Sequence, residues 1–375
     1  MTKDSLYLPN LNGVRCIAAF MVILSHIELN KSYFGIGNTF HNVKVFGKLG
    51  VTLFFVLSGF LITYLLLHEK ERYGKIKISF FYFRRILRIW PLYYFIVLLS
   101  LFVLPYFNLF KIPHFRLEFD TDIQFFITCF LFAFFLPNLL ISIKLIPFAT
   151  QTWSIGTEEQ FYAIWPIIIN RIKNLKKMFL FIISFYYIVI FCINLSLFDS
   201  IKYIVLIREY CNMLQLDALT LGSLGAYSFY KIDKSIELIT ANVSLILSIF
   251  VLTMALLYDV EVPFFNSLFY ALLFVILIIN LVYKKILLRV LENQFFNYLG
   301  TISYGLYMYH QIAIVLCINV LLKFHIMNDV ALYVSSIVIT VLIAGLSHKF
   351  LEKPFLTLKN KWSVFNSNIF PENKY

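Results

Sequence analysis

The sequence predicts an all-α, polytopic integral membrane protein of about ten transmembrane helices plus one re-entrant or interfacial segment. Two observations carry this reading. Hydrophobic residues make up 61% of the 375 and charged residues only 14%, against roughly 45–50% and 25% in soluble domains, and mean hydropathy is +0.82. Apolar runs of about 17–25 residues, enough to cross a bilayer, also recur along the chain and alternate with short basic runs. The 42 Phe and 24 Tyr suit a lipid-facing and interfacial surface. The net charge of +12 lies in the basic runs, which marks membrane topology and not a nucleic-acid footprint. The five cysteines, Cys16, Cys129, Cys192, Cys211 and Cys317, are dispersed without a CxxC pair. They are expected to be core thiols, with neither a disulfide framework nor a zinc site.

The first run, residues 11–29 (LNGVRCIAAFMVILSHIEL), lacks a strongly basic leader and a small-residue cleavage site, so it is expected to stay as a span. Residues 49–67 and 89–104 are the next two. The loop between them holds Lys70, Arg72, Lys75, Lys77, Arg84, Arg85 and Arg88. The positive-inside rule puts that loop in the cytoplasm, and with it the N-terminus two crossings earlier. The next basic run, Arg171, Lys173, Lys176 and Lys177, is expected on the same side. An even number of crossings must then separate the two runs, and residues 89–104 and 156–170 supply two.

Residues 125–136, stopped by Pro137, are short for a span and would break that parity. They read as re-entrant or interfacial, which puts residues 150–160 near the outer side or in a cavity. Further spans are expected at residues 179–197, about 213–230, 236–258, 268–283, 302–322 and 331–350. Lys231 and Lys234, then Lys284, Lys285 and Arg289, then Lys349, Lys353, Lys359 and Lys361 mark cytoplasmic ends. Both termini are therefore expected in the cytoplasm. Residues 1–375 read as a single transmembrane domain, with a core at about 8–356 and a short cytoplasmic tail at 357–375. The stretch after Phe350 is too short for an appended soluble domain.

Several polar residues inside these runs are candidates for chemistry. Arg15 and His26 are eleven residues apart on one predicted helix face, about 16 Å along the axis. An ionisable side chain at bilayer depth costs roughly 2.5–3.5 kcal/mol on insertion scales, so such residues usually face a protein or water-filled interior. The segment TWSIGTEEQFYAIWP places Glu158 and Glu159 among aromatic residues, with Trp153 before them. Adjacent helical carboxylates point about 100° apart, so the two need not share a site. One of them can orient and polarise a histidine acting as general base, while on spacing alone a helix N-terminus favouring acidic residues, with Trp153 and Trp165 as interfacial anchors, is the plainer reading.

Arg85 and Arg88 are i, i+3 neighbours that can grip a phosphate-rich ligand such as coenzyme A, or simply anchor a span end. SYGLYMYH puts Tyr304, Tyr307 and His310 in one span, as tunnel-lining groups or as interhelical hydrogen bonds. Ser58-Gly59 is a nucleophile only with a base beside it, and helix packing is the plainer role. Asp217 lies in QLDALTLGSLGA, whose Gly222, Ser223 and Gly225 permit close packing, with Arg208 a possible partner. There is no Walker-type loop, GxGxxG fingerprint or metal-ligand spacing, so no metal is expected.

In combination these motifs resemble the membrane-bound acyltransferase family 3, which includes O-acetyltransferases of bacterial O-antigen, capsule and peptidoglycan. The matching pieces are Arg15 and His26 with ten residues between them, FFVLSGFLIT, RRILRIWPLYY, TWSIGTEEQFY, SYGLYMYH and the closing HKFLEKPF, in family order from about residue 8 to 356. Asn12 stands where the family commonly has Asp, and Gln215 where a basic residue is common. The resemblance implies an enzyme of the bacterial cytoplasmic membrane. It would transfer an acyl group, usually acetyl, from cytoplasmic acyl-coenzyme A to a hydroxyl of an extracytoplasmic or lipid-linked surface glycan. It also implies that His26 is the catalytic residue, with Glu158 the corresponding acidic residue, and that Arg15, Arg85 and Arg88 serve the acyl donor. On this reading Ser58, Trp153, Tyr304, Tyr307 and His310 line the substrate path.

His26 would act as general base on a sugar hydroxyl or carry the acyl group briefly itself. The rival is a transporter or flippase for polysaccharide or lipid-linked sugar, with glycan movement and no coenzyme A requirement. A binding or assembly partner would need none of the buried charges.

Overall fold

The computed structural model describes residues 8–40, 43–115, 117–141, 144–199, 203–231, 236, 239–240, 242–258, 260–283 and 291–361. Among these the regular structure is helical, with no strand. In chain order the helices are α1 (Leu11–Tyr33), α2 (Val43–Tyr73), α3 (Ile78–Phe102), α4 (Asp122–Ala133), α5 (Pro137–Ile141), α6 (Thr152–Arg171) and α7 (Leu175–Ile193). They continue as α8 (Ile204–Leu214), α9 (Leu216–Lys231), α10 (Asn242–Leu257), α11 (Asn266–Tyr283), α12 (Gln294–Thr301), α13 (Ser303–Lys323) and α14 (Asp329–Ser347). A π-helical turn, His348–Glu352, leads into α15 (Lys353–Lys361).

Seven described segments are long and apolar enough to cross a membrane: Leu11–Tyr33, Val45–Tyr73, Ile78–Tyr106, Leu175–Ile193, Asn266–Tyr283, Ser303–Lys323 and Asp329–Leu358. The chain is thus an all-α polytopic membrane protein. The other three expected spans fall on α6, on α8–α9 and on α10. At 20 residues α6 is long enough, but its first half carries Thr152, Ser154, Thr157, Glu158, Glu159 and Gln160. The expected short segment is the 12-residue α4, capped at its start by the Thr121 hydroxyl and followed by α5, which begins at Pro137. Twelve residues reach about 18 Å, well under the hydrocarbon thickness of about 30 Å. The basic positions Arg116, Lys202, Lys234, Lys284, Lys285 and Arg289, and the tail from residue 362, lie outside the described residues.

The centre of the bundle is α2, packed along α9 on one side and α1 on the other. The α2–α9 crossing is close enough for backbones to touch. A Cβ on Gly59 would lie 1.9 Å from the Leu219 carbonyl oxygen, and one on Gly222 would lie 2.1 Å from that of Val56. Small residues at a crossing let helices gain packing contacts where lipid removes the hydrophobic drive between them. Asp217 is buried on α9 and accepts a hydrogen bond from the Tyr187 hydroxyl at 2.7 Å. Arg208 is not its partner. That guanidinium turns to Asp199 at 2.7 Å and to the Ile193 carbonyl at 2.7 Å, where the end of α7 offers unpaired acceptors.

A buried lysine ties the end of α1 to the start of α14. Lys31 donates to Glu28 at 3.2 Å and to Asp329 at 2.8 Å, and Tyr333 donates to Glu28 at 2.6 Å. At the other end of the bundle, Lys70 donates to the carbonyls of Ile169 and Asn170 at 2.6 and 2.9 Å, closing the open end of α6.

Candidate active site

Five helices bring the polar candidates together as a stripe with two ends. The stripe follows one face of α6, where Gln151, Ser154, Glu158 and Tyr162 are spaced three, four and four residues apart. That periodicity stacks them one above another over roughly 16 Å of axis. The four rungs meet three neighbouring helices. Gln151 and Ser154 meet α13, Glu158 meets α2, and Tyr162 meets α3.

The first end is cationic. Arg85, about two turns into α3, lies over the rings of Phe81 and Tyr162 at 5.7 and 5.2 Å. Arg15, from the first turns of α1, lies within electrostatic range of Arg85, Arg88, Tyr162 and Glu158. Among the described residues, none of Arg15, Arg85 and Arg88 has a carboxylate at salt-bridge distance. Arg84, by contrast, pairs with Glu69 at 3.3 Å and belongs to the scaffold. Three half-buried guanidinium groups with no direct partner repel one another, and an anion placed among them relieves that repulsion.

Between the ends lies Glu158. Ser58 donates to one of its carboxylate oxygens at 2.6 Å and Tyr162 donates to the other at 3.0 Å. The next carboxylate, Glu159, turns to α3 instead, where it accepts from the Trp90 indole at 3.2 Å. Adjacent helical positions diverge by about 100°, and here that divergence sends the two groups to different helices. The other oxygen of Glu159, Oε1, is buried without a hydrogen-bond partner. Ser58 has no base beside it other than this carboxylate, while Gly59 next to it makes the α9 contact.

The second end holds two histidines. His26 on α1 and His310 on α13 meet edge to face, with ring centroids 4.7 Å apart. His26 Nδ1 lies 2.9 Å from the Val22 carbonyl, and His310 Nδ1 lies 2.5 Å from that of Tyr307. A carbonyl only accepts, so in each neutral ring Nδ1 carries the proton and Nε2 keeps a lone pair. His26 is half-buried and reachable; His310 is fully buried. Tyr307 completes the end. Its hydroxyl donates to the Gln151 carbonyl at 2.9 Å and lies 2.7 Å from the Ser154 hydroxyl. Gln151 in turn donates to the Met308 carbonyl at 2.9 Å.

Of the residues expected from sequence, the structure thus gathers Arg15, Arg85, Arg88, Glu158 and Ser58 at and beside the cationic end. It gathers His26, Tyr307 and His310 at the other. No hydrogen bond or ion pair joins Glu158 to His26. Tyr304 donates to the Ile89 carbonyl at 2.9 Å, one residue from Arg88, and Trp153 stands edge-on to Phe55 at 5.9 Å. Sequence reasoning missed Tyr162, Ser154, Gln151 and Trp90. The i, i+4 spacing of Ser154, Glu158 and Tyr162 was the available signal for the first two. Trp90 had none, since its contact is between helices.

Residues 8–348 match a sequence family described as an acyltransferase domain. Among curated proteins, the chain is 26% identical to "Putative O-acetyltransferase SAR0937" of Staphylococcus aureus (strain MRSA252), over 99% of this chain and 61% of that protein. It is 28% identical to "O-acetyltransferase OatA" of Staphylococcus aureus (strain NCTC 8325 / PS 47), over 93% of this chain and 57% of that protein. The chain therefore spans about six-tenths of the length of these relatives. No solved structure matches it.

Proposed function

The chain belongs to this acyltransferase family, and from that premise we propose that it is a membrane O-acetyltransferase. It moves an acetyl group from cytoplasmic acyl-coenzyme A to a hydroxyl of an extracytoplasmic or lipid-linked surface glycan. The observation that carries this reading is the two-ended polar stripe, with an unpaired arginine cluster at one end and a histidine bearing a free lone pair at the other. The names of the staphylococcal relatives support the acetyl group and the oxygen acceptor. The basic loop before α3 supports a bacterial cytoplasmic membrane setting with both termini inside. The transmembrane domain acts as one unit, with the acceptor reached from the outer side.

Arg15, Arg85 and Arg88 hold the phosphates of the donor, and guanidinium groups suit that task because they offer several N–H donors in a fixed fork. The pantetheine arm follows the α6 stripe past Glu158, Tyr304 and Trp153, so that the thioester comes to the histidine end. There His26 Nε2 takes the proton of the acceptor hydroxyl as that oxygen bonds the acyl carbon. The carbon–sulfur bond breaks, and the thiolate leaves with the proton that His26 gained. Glu158 balances part of the arginine charge through the depth of the membrane.

The test uses purified full-length protein, acetyl-coenzyme A labelled in the acetyl group, and surface glycan from a strain deleted for the gene. Label on the glycan with wild type and none with His26→Ala is the expected result. Wild-type labelling by His26→Ala contradicts the mechanism. Glycan movement across the membrane without any use of acetyl-coenzyme A returns the transporter reading.

A further inference from the structure

His310 is a buried group with an unused lone pair, placed against the histidine that the proposed reaction uses. It has no exposed surface, and its Nε2 has no hydrogen-bond partner. Its Nδ1 is held by the Tyr307 carbonyl on its own helix, so Nε2, on the opposite side of the ring, points away from α13. Buried acceptors left unpaired are rare and costly, and those that persist usually answer to function. Two titratable rings flank it: the imidazole of His26, 4.7 Å away between centroids, and the phenol of Tyr307, 5.7 Å away, whose hydroxyl is already engaged by Gln151 and Ser154.

The surroundings fix that meeting. Asn30, one turn beyond His26, donates to the His26 carbonyl at 2.7 Å and to the Gln311 side chain at 2.8 Å. Gln311 follows His310 in sequence, so α1 and α13 are cross-linked directly beside the two rings. Tyr307 holds the His310 ring through its carbonyl while its own hydroxyl is pinned to Gln151 and Ser154. On α2, a Cβ at Gly47 would lie 4.0 Å from His26 Cε1, so that helix passes close to the ring. The pair is held on all sides and supplied with one unused acceptor.

We propose that His310 is a positioning residue that shares, through His26, the proton removed from the acceptor hydroxyl. This rests on the acetyltransferase reading above. The sequence of bonds balances without an outside reagent. The acceptor O–H proton passes to His26 Nε2 as the oxygen–carbon bond forms and the carbon–sulfur bond breaks. The N–H of the resulting imidazolium is shared with His310 Nε2, which spreads one positive charge over two rings in a water-poor site. The proton then returns through His26 to the thiolate sulfur. The products are the ester and free coenzyme A, and both imidazoles are neutral again.

The test is the single-turnover rate of full-length protein loaded with labelled acetyl-coenzyme A and mixed with excess glycan from the deletion strain. Wild type, His310→Phe and His310→Gln are compared in mixtures of light and heavy water, with thermal midpoints as a check on folding. Phe keeps a ring and removes the acceptor, whereas Gln keeps an acceptor oxygen. General acid–base help is worth about 10²–10⁴-fold in rate, and losing one shared-proton partner is expected to remove about 10–100-fold of it.

The expected result is that loss in His310→Phe with the acetyl-coenzyme A concentration needed for half-loading unchanged, and partial recovery in His310→Gln. The dependence on deuterium content should be curved for wild type and linear for His310→Phe. A wild-type rate in His310→Phe, or equal loss in the Phe and Gln variants, overturns the proposal. Should His310→Phe fail to fold, the wild-type curve decides alone, and a linear dependence overturns the shared proton. No transfer by wild type overturns the acetyltransferase reading together with the pair, whereas transfer with an indifferent His310 overturns the pair alone.

Discussion

Glu158 lies between the two ends of the stripe, beside the cationic one. Its carboxylate accepts from Ser58 and Tyr162 and lies in the field of Arg15. Glu158→Gln keeps the shape and removes the charge, turning an amide N–H₂ toward one of two donors. A hydrogen bond to a charged group is worth about 1.5–3 kcal/mol, or roughly 10–150-fold, and a loss of that order is expected in the kcat for acetyl transfer. The donor responds in the opposite sense. With less negative charge beside the arginines, phosphate is held at least as well, so the KM for acetyl-coenzyme A should stay the same or fall. Steady-state kinetics on the purified variant checks both, and a raised KM at unchanged kcat would place Glu158 in donor binding instead. The candidate residues were legible one by one in the sequence, because ionisable groups in apolar runs stand out. Their partners were not: Ser58 and Glu158 are 100 residues apart, and His26 and His310 meet only because α1 and α13 pack together.

At the scale of elements, the long apolar helices were readable from run length alone, and the 12-residue α4 from a run too short to cross and stopped by proline. Inter-helix ties were not readable. Lys31 and Asp329 sit 298 positions apart, and no local pattern announces that a lysine near the end of α1 is fully buried. Arg208 shows the same limit from the other direction. Its nine-residue offset from Asp217 suggested a pair, yet the nearer acceptors at the end of α7 took it. The Lys31 tie fixes the α1 turn that follows His26. Lys31→Met leaves Glu28 buried without its cation, and breaking a buried pair this way costs about 3–5 kcal/mol. A clear drop in thermal midpoint in detergent is expected, with much of it recovered when Glu28→Gln is added. An unchanged midpoint in the single variant would show that Lys31, with its pairs to Glu28 and Asp329, does not stabilise this end of the bundle.

For the whole molecule, composition and the spacing of basic runs were enough to read a polytopic helical bundle. What they left open was which helices surround the stripe. Packing decides that: α2 lies between α1 and α9 because Gly59 and Gly222 let two backbones touch, and α6 is then held against α2 by Ser58 and Glu158. The outcome is a stripe with unlike ends: an arginine cluster at one, without a carboxylate at salt-bridge distance among the described residues, and a histidine pair at the other, to which the proposed function gives separate tasks. Binding and chemistry should therefore separate cleanly when each end is removed. The most direct measurement is equilibrium binding of labelled acetyl-coenzyme A alongside acetyl transfer, for wild type, His26→Ala and the Arg85→Ala/Arg88→Ala double variant. The predicted result is wild-type binding without transfer for His26→Ala, and donor binding weakened by about 10-fold or more for the arginine variant, as loss of charge-assisted phosphate contacts requires. Lost binding in His26→Ala, or undiminished binding without the two arginines, would contradict the two-ended site.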